Sequence, residues 1–283
     1  MKSEIRTSPV ARTLNIKGKL VDLGTPVVMG ILNITPDSFF EGSRFNTELE
    51  ILTQTEKMLS EGATFIDVGG YSSRPGAEDI SVDEECSRVS KAISAICKEF
   101  PQTIISIDTF RSEVARQAVQ EGAAIINDIS AGELDRKMFE TVAALNVPYI
   151  AMHMRGNPQT MKELTSYTTL VKEVMAYFID KISHLKAMGI NDIIIDPGFG
   201  FAKTIDQNFE LLTHLDYLKN LERPILAGLS RKSMIWKTLG ITAEGALNGT
   251  TALNMTALLK GASILRVHDV KEAVEVIKLH SKL

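Results

Sequence analysis

The chain has 283 residues, of which 44% are hydrophobic, and it carries a formal net charge of −4 at pH 7. A chain of this length can bury a large core, and α/β barrels of about 250 residues are commonly single domains. The acidic balance, with no offsetting stripe of Lys and Arg, excludes nucleic acid as an expected partner. No stretch approaches the roughly 18 uncharged apolar residues of a membrane span, so no membrane partner is expected.

The N-terminus and the cysteines indicate the compartment. Lys2, Glu4 and Arg6 interrupt the first ten residues, which therefore do not form a secretory signal. Cys86 and Cys97 follow no metal-ligand spacing and fit a reduced pair. We expect a cytoplasmic globular protein.

Strand and helix patterns alternate along the chain after a short predicted hairpin around Lys17-Gly18-Lys19. Continuous apolar, β-branched runs are typical of parallel strands that are buried on both faces. These runs predict strands at 27–32, 64–68, 103–107, 125–127, 148–152, 192–195, 224–227 and 263–267. The stretches between them predict helices at 48–61, 82–99, 112–121, 136–146, 166–188, 206–220, 231–260 (broken around Gly240) and 270–282. Left-handed helix caps are expected at Gly62, Gly122 and Gly189.

Eight strand–helix units without a Pro- or Ser-rich linker predict a single-domain (β/α)8 TIM barrel. The barrel is expected to occupy residues 26–283, after an N-terminal extension and hairpin over residues 1–25. An open, doubly wound parallel sheet is the alternative architecture.

Polar residues follow most of these predicted strands, where α/β folds carry their chemistry. They are Asn33, Asp108, Asn127, Asp196, Arg266 and His268. Closure of the barrel would bring the last strand beside the first, and with it Arg266 and His268 near Asn33. A guanidinium, an imidazole and an amide suit an anion that a metal bridges. The two carboxylates and the second amide suit a heterocycle rich in N–H donors, so the sequence predicts two compartments.

The segments after the strands supply further candidates. The loops 33–40 and 69–77 are long, polar and punctuated by Gly or Pro, and such loops can close over a barrel mouth. Ser230 is predicted to cap a helix whose free N–H groups face a carboxylate or phosphate. Lys232 is expected to reach the heterocycle, and Lys203 is expected to be solvated.

Two residues keep two interpretations each. Asp67 follows the second predicted barrel strand, where either a site role or a hydrogen bond to the Gly69-Gly70 turn is expected. His153 is either a structural histidine or part of the site.

Eight segments of the chain together resemble one enzyme family, the dihydropteroate synthases of the folate pathway. They are MGILNITPDSFFEG, GGYSSRPGA, SIDTFRSEVA, INDIS, MHMRGNPQTM, DPGFGFAKT, LAGLSRKSMI and ILRVHDV. The resemblance implies a transferase that condenses 6-hydroxymethyl-7,8-dihydropterin diphosphate with 4-aminobenzoate to give 7,8-dihydropteroate and pyrophosphate. It also implies Mg²⁺ as cofactor, a target of sulfonamides, and a homodimer.

The resemblance assigns expected roles residue by residue. Pterin binding is implied for Asp108, Asn127, Ile129, Met152, Asp196 and Lys232. Diphosphate binding is implied for Asn33, Arg266 and His268, with Asn33 also a Mg²⁺ ligand. Aminobenzoate binding is implied for Phe39, Ser73, Arg74, Pro75, Phe201 and Ser230. The expected catalytic residues are Asp108, Lys232, Arg266 and His268.

The chain departs from a common family pattern at Tyr71 and Ser73, where Glu and Thr are frequent. Ser73 keeps a hydroxyl group, whereas the role of Tyr71 is open.

Two other functions compete with this interpretation. A methyltetrahydrofolate-dependent methyltransferase shares the pterin-binding barrel but has no diphosphate to hold, so Asn33, Arg266 and His268 favour the synthase. A paralogue that binds pterin without turnover is the other alternative, and the intact loops argue against it.

Overall fold

The computed structural model describes residues 13–34, 47–72 and 79–283. Its strands are β1 (Thr13–Ile16), β2 (Lys19–Asp22), β3 (Val27–Asn33), β4 (Phe65–Gly69), β5 (Ile104–Asp108), β6 (Ile125–Asp128), β7 (Tyr149–Met152), β8 (Ile193–Asp196), β9 (Leu226–Ala227) and β10 (Ile264–Val267). Its α-helices are α1 (Glu48–Ser60), α2 (Val82–Glu99), α3 (Ser112–Glu121), α4 (Met138–Leu145), α5 (Leu170–Ala187), α6 (Ile205–Thr213), α7 (Ser233–Leu239), α8 (Leu247–Leu259) and α9 (Val270–His280).

The eight strands from β3 to β10 form one parallel sheet that curls into a barrel. Its order is β8-β7-β6-β5-β4-β3-β10-β9, so the last strand in the chain lies beside the first barrel strand. The two remaining edges approach at a parallel bridge between Ile195 and Ile225, where the Ile195 N–H donates to Pro224 O at 3.0 Å. This closure confirms the predicted (β/α)8 barrel over the open-sheet alternative.

The amino ends of the strands are filled with apolar side chains. Phe65 and Ile125 begin β4 and β6, Met29 lies near the start of β3, and all three are fully buried. They belong to a cluster that also contains Leu14 and Ile16 of the β1–β2 hairpin, the hairpin that was predicted around Lys17. Because this end of the barrel is packed, a ligand must enter at the carboxyl ends of the strands.

The helix ends follow the local sequence. Thr47 and Glu50 form a reciprocal capping box at the start of α1. Gly62, Gly122 and Gly189 have φ values of 103°, 123° and 83°, which confirms the expected left-handed positions. Within the described ranges, no helix has the length and apolar character of a bilayer-spanning segment.

The helical stretch predicted over residues 231–260, with a break around Gly240, is confirmed. The structure has two helices there, α7 and α8, which are separated by Gly240 at φ 66° and by a 3₁₀ turn at Glu244–Ala246. The helix predicted over 206–220 is shorter in the structure, because α6 ends at Thr213 and a 3₁₀ segment spans Leu215–Leu221. A left-handed glycine ends an α-helix because the next N–H turns back to an earlier carbonyl.

Candidate active site

The polar ends of four neighbouring strands lie in one lateral row. The sheet register pairs Asn33 with Gly69, Gly69 with Asp108, and Asp108 with Asn127. A Cβ on Gly69 would lie 3.5 Å from Asn33 Oδ1 and 3.8 Å from Asp108 Oδ2, so the absent side chain leaves room between these two residues. Asp196 stands two strands beyond Asn127, and the barrel mouth brings all four predicted residues to one face.

Arg266 connects the two predicted compartments. Its Nε donates to Asp67 Oδ2 at 2.6 Å, and its Nη2 donates to Asp108 Oδ2 at 2.6 Å. Asn127 Nδ2 donates to the same Asp67 oxygen at 3.0 Å. The residue predicted to hold the diphosphate is therefore bonded directly to a residue predicted to hold the pterin. The two predicted compartments are therefore adjacent, and Arg266 lies between them.

Burial sets the electrostatics of this cluster. Burial raises the pKa of Asp108 to about 7, although Arg266 lowers it. Burial alone would lower the pKa of Arg266, but Asp67 and Asp108 outweigh that effect and raise it, so the guanidinium stays charged. Two buried carboxyl groups share one cation here, and such a centre favours a ligand with N–H donors or a developing positive charge.

Of the two alternatives that the sequence leaves for Asp67, the structure favours contact with the candidate site. It is fully buried, and its side chain bonds Arg266 and Asn127 rather than the Gly69-Gly70 turn. Its other oxygen, Oδ1, has no hydrogen-bond partner among the residues that the structure describes. The alternation of apolar residues in β4 gives no hint of this contact, because the partners come from β6 and β10.

Asp196 and Lys232 stand on the opposite side of the mouth. Asp196 Oδ1 accepts from the Gly198 N–H at 2.7 Å, and burial raises the pKa of Asp196 while Lys232 lowers it. Lys232 Nζ donates to the Phe199 carbonyl and lies 4.6 Å from the centroid of the Phe201 ring. Burial lowers the pKa of Lys232 to about 8. Asp196 is thus buried, whereas Lys232 is partly buried and lies close to an aromatic face.

Ser230 is not the predicted helix cap. Helix α7 begins at Ser233, and Lys232 occupies the N-cap position. The Ser230 hydroxyl instead accepts from the His268 backbone N–H at 3.2 Å and lies 2.9 Å from His268 Nδ1. A hydroxyl that donates to Nδ1 leaves the proton of neutral imidazole on Nε2. Burial lowers the pKa of His268 to about 4, so the ring is neutral at pH 7.

Lys203 is buried rather than solvated, which corrects the sequence prediction. Only 8% of the residue is exposed, and Nζ lies 3.0 Å from His153 Nδ1, from Gly198 O and from Phe201 O. Burial lowers the pKa of Lys203 to about 7 and, with Lys203 beside the ring, lowers that of His153 to about 2. His153 is therefore a neutral structural partner of this lysine.

An apolar cluster adjoins the mouth, and three of its members, Met161, Phe201 and Ala202, line the cavity there. Ile129 and Met152, both predicted to contact the pterin, are buried in one cluster with Met154, Met161 and Ala202, and Phe201 packs against them. A flat heterocycle can lie against such a cluster while its polar edge meets the carboxylates.

The mouth contains a cavity of about 780 Å³. Asn33, Phe201 and Ser230 line it, whereas the predicted residues Phe39, Ser73, Arg74 and Pro75 lie outside the described residues. Its described lining includes the cations Lys162, Lys203, Arg231, Lys232, Lys237 and Arg266 against one carboxylate, Asp108. A cavity with this balance suits anionic ligands.

Tyr71 lies at the rim and packs against an aromatic and a cation. Its ring meets Phe110 edge-on with centroids 5.0 Å apart, and the Arg111 guanidinium lies 5.0 Å from its centroid. Arg111 is itself held by the buried carboxylate of Glu85 at 2.9 Å. Tyr71 therefore packs on a guanidinium whose charge is already paired by Glu85 and Asp79.

Comparison with known proteins agrees with this geometry. The family model described as pterin binding enzyme matches residues 29–268. The dihydropteroate synthase of Escherichia coli K12 is 42% identical over 265 residues, which cover 93% of each chain.

Solved structures of the same family have the same fold. A Yersinia pestis dihydropteroate synthase in complex with a sulfonamide drug superposes with a TM-score of 0.92 at 39% identity, covering 95% of this chain and 98% of that one. A Xanthomonas albilineans dihydropteroate synthase with 4-aminobenzoic acid gives 0.88 at 37% identity, covering 96% and 97%. The chain belongs to the dihydropteroate synthase family of pterin-binding enzymes.

Proposed function

We propose that this protein condenses 6-hydroxymethyl-7,8-dihydropterin diphosphate with 4-aminobenzoate to give 7,8-dihydropteroate and pyrophosphate. The carrying observation is the Asp67–Arg266–Asp108 contact at the strand ends, with Asn127 on the same carboxylate. It joins a site for N–H donors to a site for an anion, as a substrate with a pterin at one end and a diphosphate at the other requires.

The pterin occupies the buried side of the cavity in this proposal. Asp108, Asn127 and Asp196 accept from or donate to its polar edge, and Ile129 and Met152 contact its face. Lys232 serves the remaining polar atoms of the ring and exchanges its bond to the Phe199 carbonyl for the ligand. A buried carboxylate gains most from a ligand that supplies N–H donors, because water is excluded there.

The reaction separates two opposite charges. The carbon–oxygen bond between the methylene group and the diphosphate breaks, and its electron pair leaves with the diphosphate. The amine nitrogen of aminobenzoate then forms the new carbon–nitrogen bond and releases a proton. Ionised Asp108 stabilises positive charge that develops on the pterin, while Arg266 and the His268 Nε2–H stabilise the leaving diphosphate.

The acceptor amine needs no strong base, because an aniline nitrogen is neutral and nucleophilic at pH 7. The protein contributes mainly by holding it in line with the reacting carbon. We propose that Phe201 contacts the aminobenzoate ring and that Ser230 acts at its carboxylate or through His268, with Phe39, Ser73, Arg74 and Pro75 completing the compartment. The Yersinia pestis relative is in complex with a sulfonamide drug, which supports this protein as a sulfonamide target.

Magnesium fits the donor set of the site. No group of three or more His, Cys, Asp or Glu side chains is arranged to hold a metal in the described ranges. Mg²⁺ is usually held by one or two protein oxygens together with substrate phosphates and water, which a single amide oxygen such as Asn33 Oδ1 can serve. When bound, the ion would neutralise charge on the diphosphate.

We propose a homodimer in the cytoplasm, with residues 26–283 as one pterin-binding domain behind the extension 1–25. Exposed apolar side chains on α7 and α8, including Leu239 and Leu259, support a partner surface there. Two free cysteines support a reducing compartment.

The decisive assay combines the purified protein with dihydropterin diphosphate, 4-aminobenzoate and Mg²⁺. We expect dihydropteroate and pyrophosphate in equal amounts, and no product when either substrate is omitted. Methyl transfer from methyltetrahydrofolate without dihydropteroate formation would reject the proposal in favour of a methyltransferase. Pterin binding without either product would indicate an inactive paralogue.

A further inference from the structure

The loop that follows β8 is held open by side chains that bind its carbonyl groups. Gly198 O accepts from Lys203 Nζ at 3.0 Å and from the Phe201 N–H at 3.1 Å. Phe201 O accepts from the same Nζ at 3.0 Å, and Phe199 O accepts from Lys232. Because three carbonyls of this loop accept from lysine side chains, its conformation depends on Lys203 and Lys232 as well as on backbone hydrogen bonds.

The backbone of this loop occupies conformations that need outside support. Gly198, Gly200 and Ala202 have φ values of 70°, 81° and 49°. The non-glycine residue among them, Ala202, is tethered by Tyr167 Oη, which donates to its carbonyl at 3.0 Å. Left-handed backbone at a non-glycine residue costs on the order of 1 kcal/mol, so it persists only where surrounding contacts maintain it.

Lys203 is the centre of that support. Its three ammonium protons match three acceptors at 3.0 Å, namely Gly198 O, Phe201 O and His153 Nδ1. His153 is 2% exposed and anchors the lysine to β7, which is part of the barrel wall. The loop conformation is therefore tied to the rigid sheet through one side chain.

This arrangement fixes the position of Phe201. Its ring lies over Lys232 and packs against the apolar cluster beside the mouth, while its backbone is fixed at both N–H and carbonyl by Gly198 and Lys203. Asp196 is held mainly by the sheet, because it belongs to β8 and pairs with Met152, and its one contact with the loop is the Gly198 N–H, which donates to Oδ1 at 2.7 Å.

We propose that Lys203 is a positioning residue for the aminobenzoate compartment: it fixes the Phe201 backbone and thereby sets affinity for the acceptor substrate rather than for the pterin. This inference rests on the proposed function, since it concerns the same site. Lys203 acts through the loop and does not touch the reacting atoms.

The test compares Lys203→Met, which keeps the apolar stem, with Lys181→Met. Lys181 is also buried, at 9% exposure, but it bonds Glu133 on the outer face of the barrel. We expect both variants to lower the melting temperature. Only Lys203→Met should raise the KM for aminobenzoate, by about 10-fold, while its KM for pterin diphosphate changes less than about 2-fold.

A spectroscopic signal follows the bond itself. The chain has five histidines, so the ¹⁵N resonance of His153 Nδ1 can be assigned by substitution. In Lys203→Met that resonance should move toward the value of a ring nitrogen without a donor, and in Lys181→Met it should stay in place.

Tyr167→Phe provides a milder perturbation of the same loop if Lys203→Met does not fold. It removes one donor, to Ala202 O, and should raise the aminobenzoate KM about 3-fold. Equal changes in both KM values, an unchanged aminobenzoate KM in the folded variants, or an unmoved His153 signal would overturn the inference. If the natural protein forms no dihydropteroate, the proposed function is rejected as well. If the natural protein is active and the variants give any of these outcomes, only the role of Lys203 is rejected.

Discussion

Substitution of Asp67 by Asn tests the most heavily bonded carboxylate of the site. Asp67 is fully buried and accepts from Arg266 Nε at 2.6 Å and from Asn127 Nδ2 at 3.0 Å. A hydrogen bond between charged groups contributes about 1.5–3 kcal/mol to stability, and the neutral donor contributes about 1 kcal/mol. The amide keeps one acceptor but loses the charge, so the free energy of unfolding should fall by about 2–4 kcal/mol.

The assay is urea denaturation followed by circular dichroism, with the free energy of unfolding extrapolated to water. Asp216→Asn is the control, because Asp216 meets Lys260 at 3.4 Å with its side chain 41% exposed. An exposed pair of this kind contributes about 0.5 kcal/mol. The Asp67 variant should also lose at least about 10-fold in kcat, since Arg266 and Asn127 lose the negative charge of their common partner. A stability loss as small as that of the control, with unchanged turnover, would refute the role given to Asp67.

Three further predictions concern charge, tautomer and backbone. Asp108→Asn should lower kcat about 100-fold or more while the KM for aminobenzoate changes little, as initial rates will show. In the natural protein, kcat/KM should fall as pH drops below about 7, because burial raises the pKa of Asp108 and the carboxylate becomes protonated. This decrease at acid pH should be absent in Asp108→Asn. If the variant keeps it, the decrease belongs to the substrates and not to Asp108. Ser230→Ala removes the hydroxyl that lies 2.9 Å from His268 Nδ1. With that hydroxyl as the donor to Nδ1, the variant should lower kcat/KM for pterin diphosphate about 10-fold with a stability loss of about 1 kcal/mol, and an unchanged kcat/KM would contradict this tautomer. Gly198→Ala should destabilise the protein far more than Gly189→Ala, because both have positive φ but only the former would drive a Cβ into the His153 carbonyl; equal melting temperatures would contradict this.

The barrel and most of the site could be predicted from the sequence because their signals are local. Each apolar run predicts a buried strand, and the polar residue that follows the run marks the carboxyl end of that strand. The parallel register then brings Asn33, Asp108 and Asn127 to one level without further information. Residues of this kind need only the fold to become neighbours.

The contacts that sequence reasoning missed depend on the direction of the loop backbone or on a residue from another strand end. Lys203 follows a loop and resembles a solvated surface lysine, yet its acceptors are carbonyls whose direction depends on three left-handed residues. Ser230 resembles a helix cap, but the helix begins three residues later, at Ser233. The Ser230 hydroxyl instead contacts His268, which follows β10. Side-chain partners across strands are not encoded in the pattern of either strand alone.

A crystal structure with the pterin diphosphate substrate and Mg²⁺ bound tests the central claim most directly. We expect the pterin edge on Asp108, Asn127 and Asp196, with the diphosphate reaching Asn33, Arg266 and His268. A pterin bound elsewhere in the cavity, or a diphosphate that meets neither Arg266 nor His268, would contradict the assignment of the strand ends as the active site.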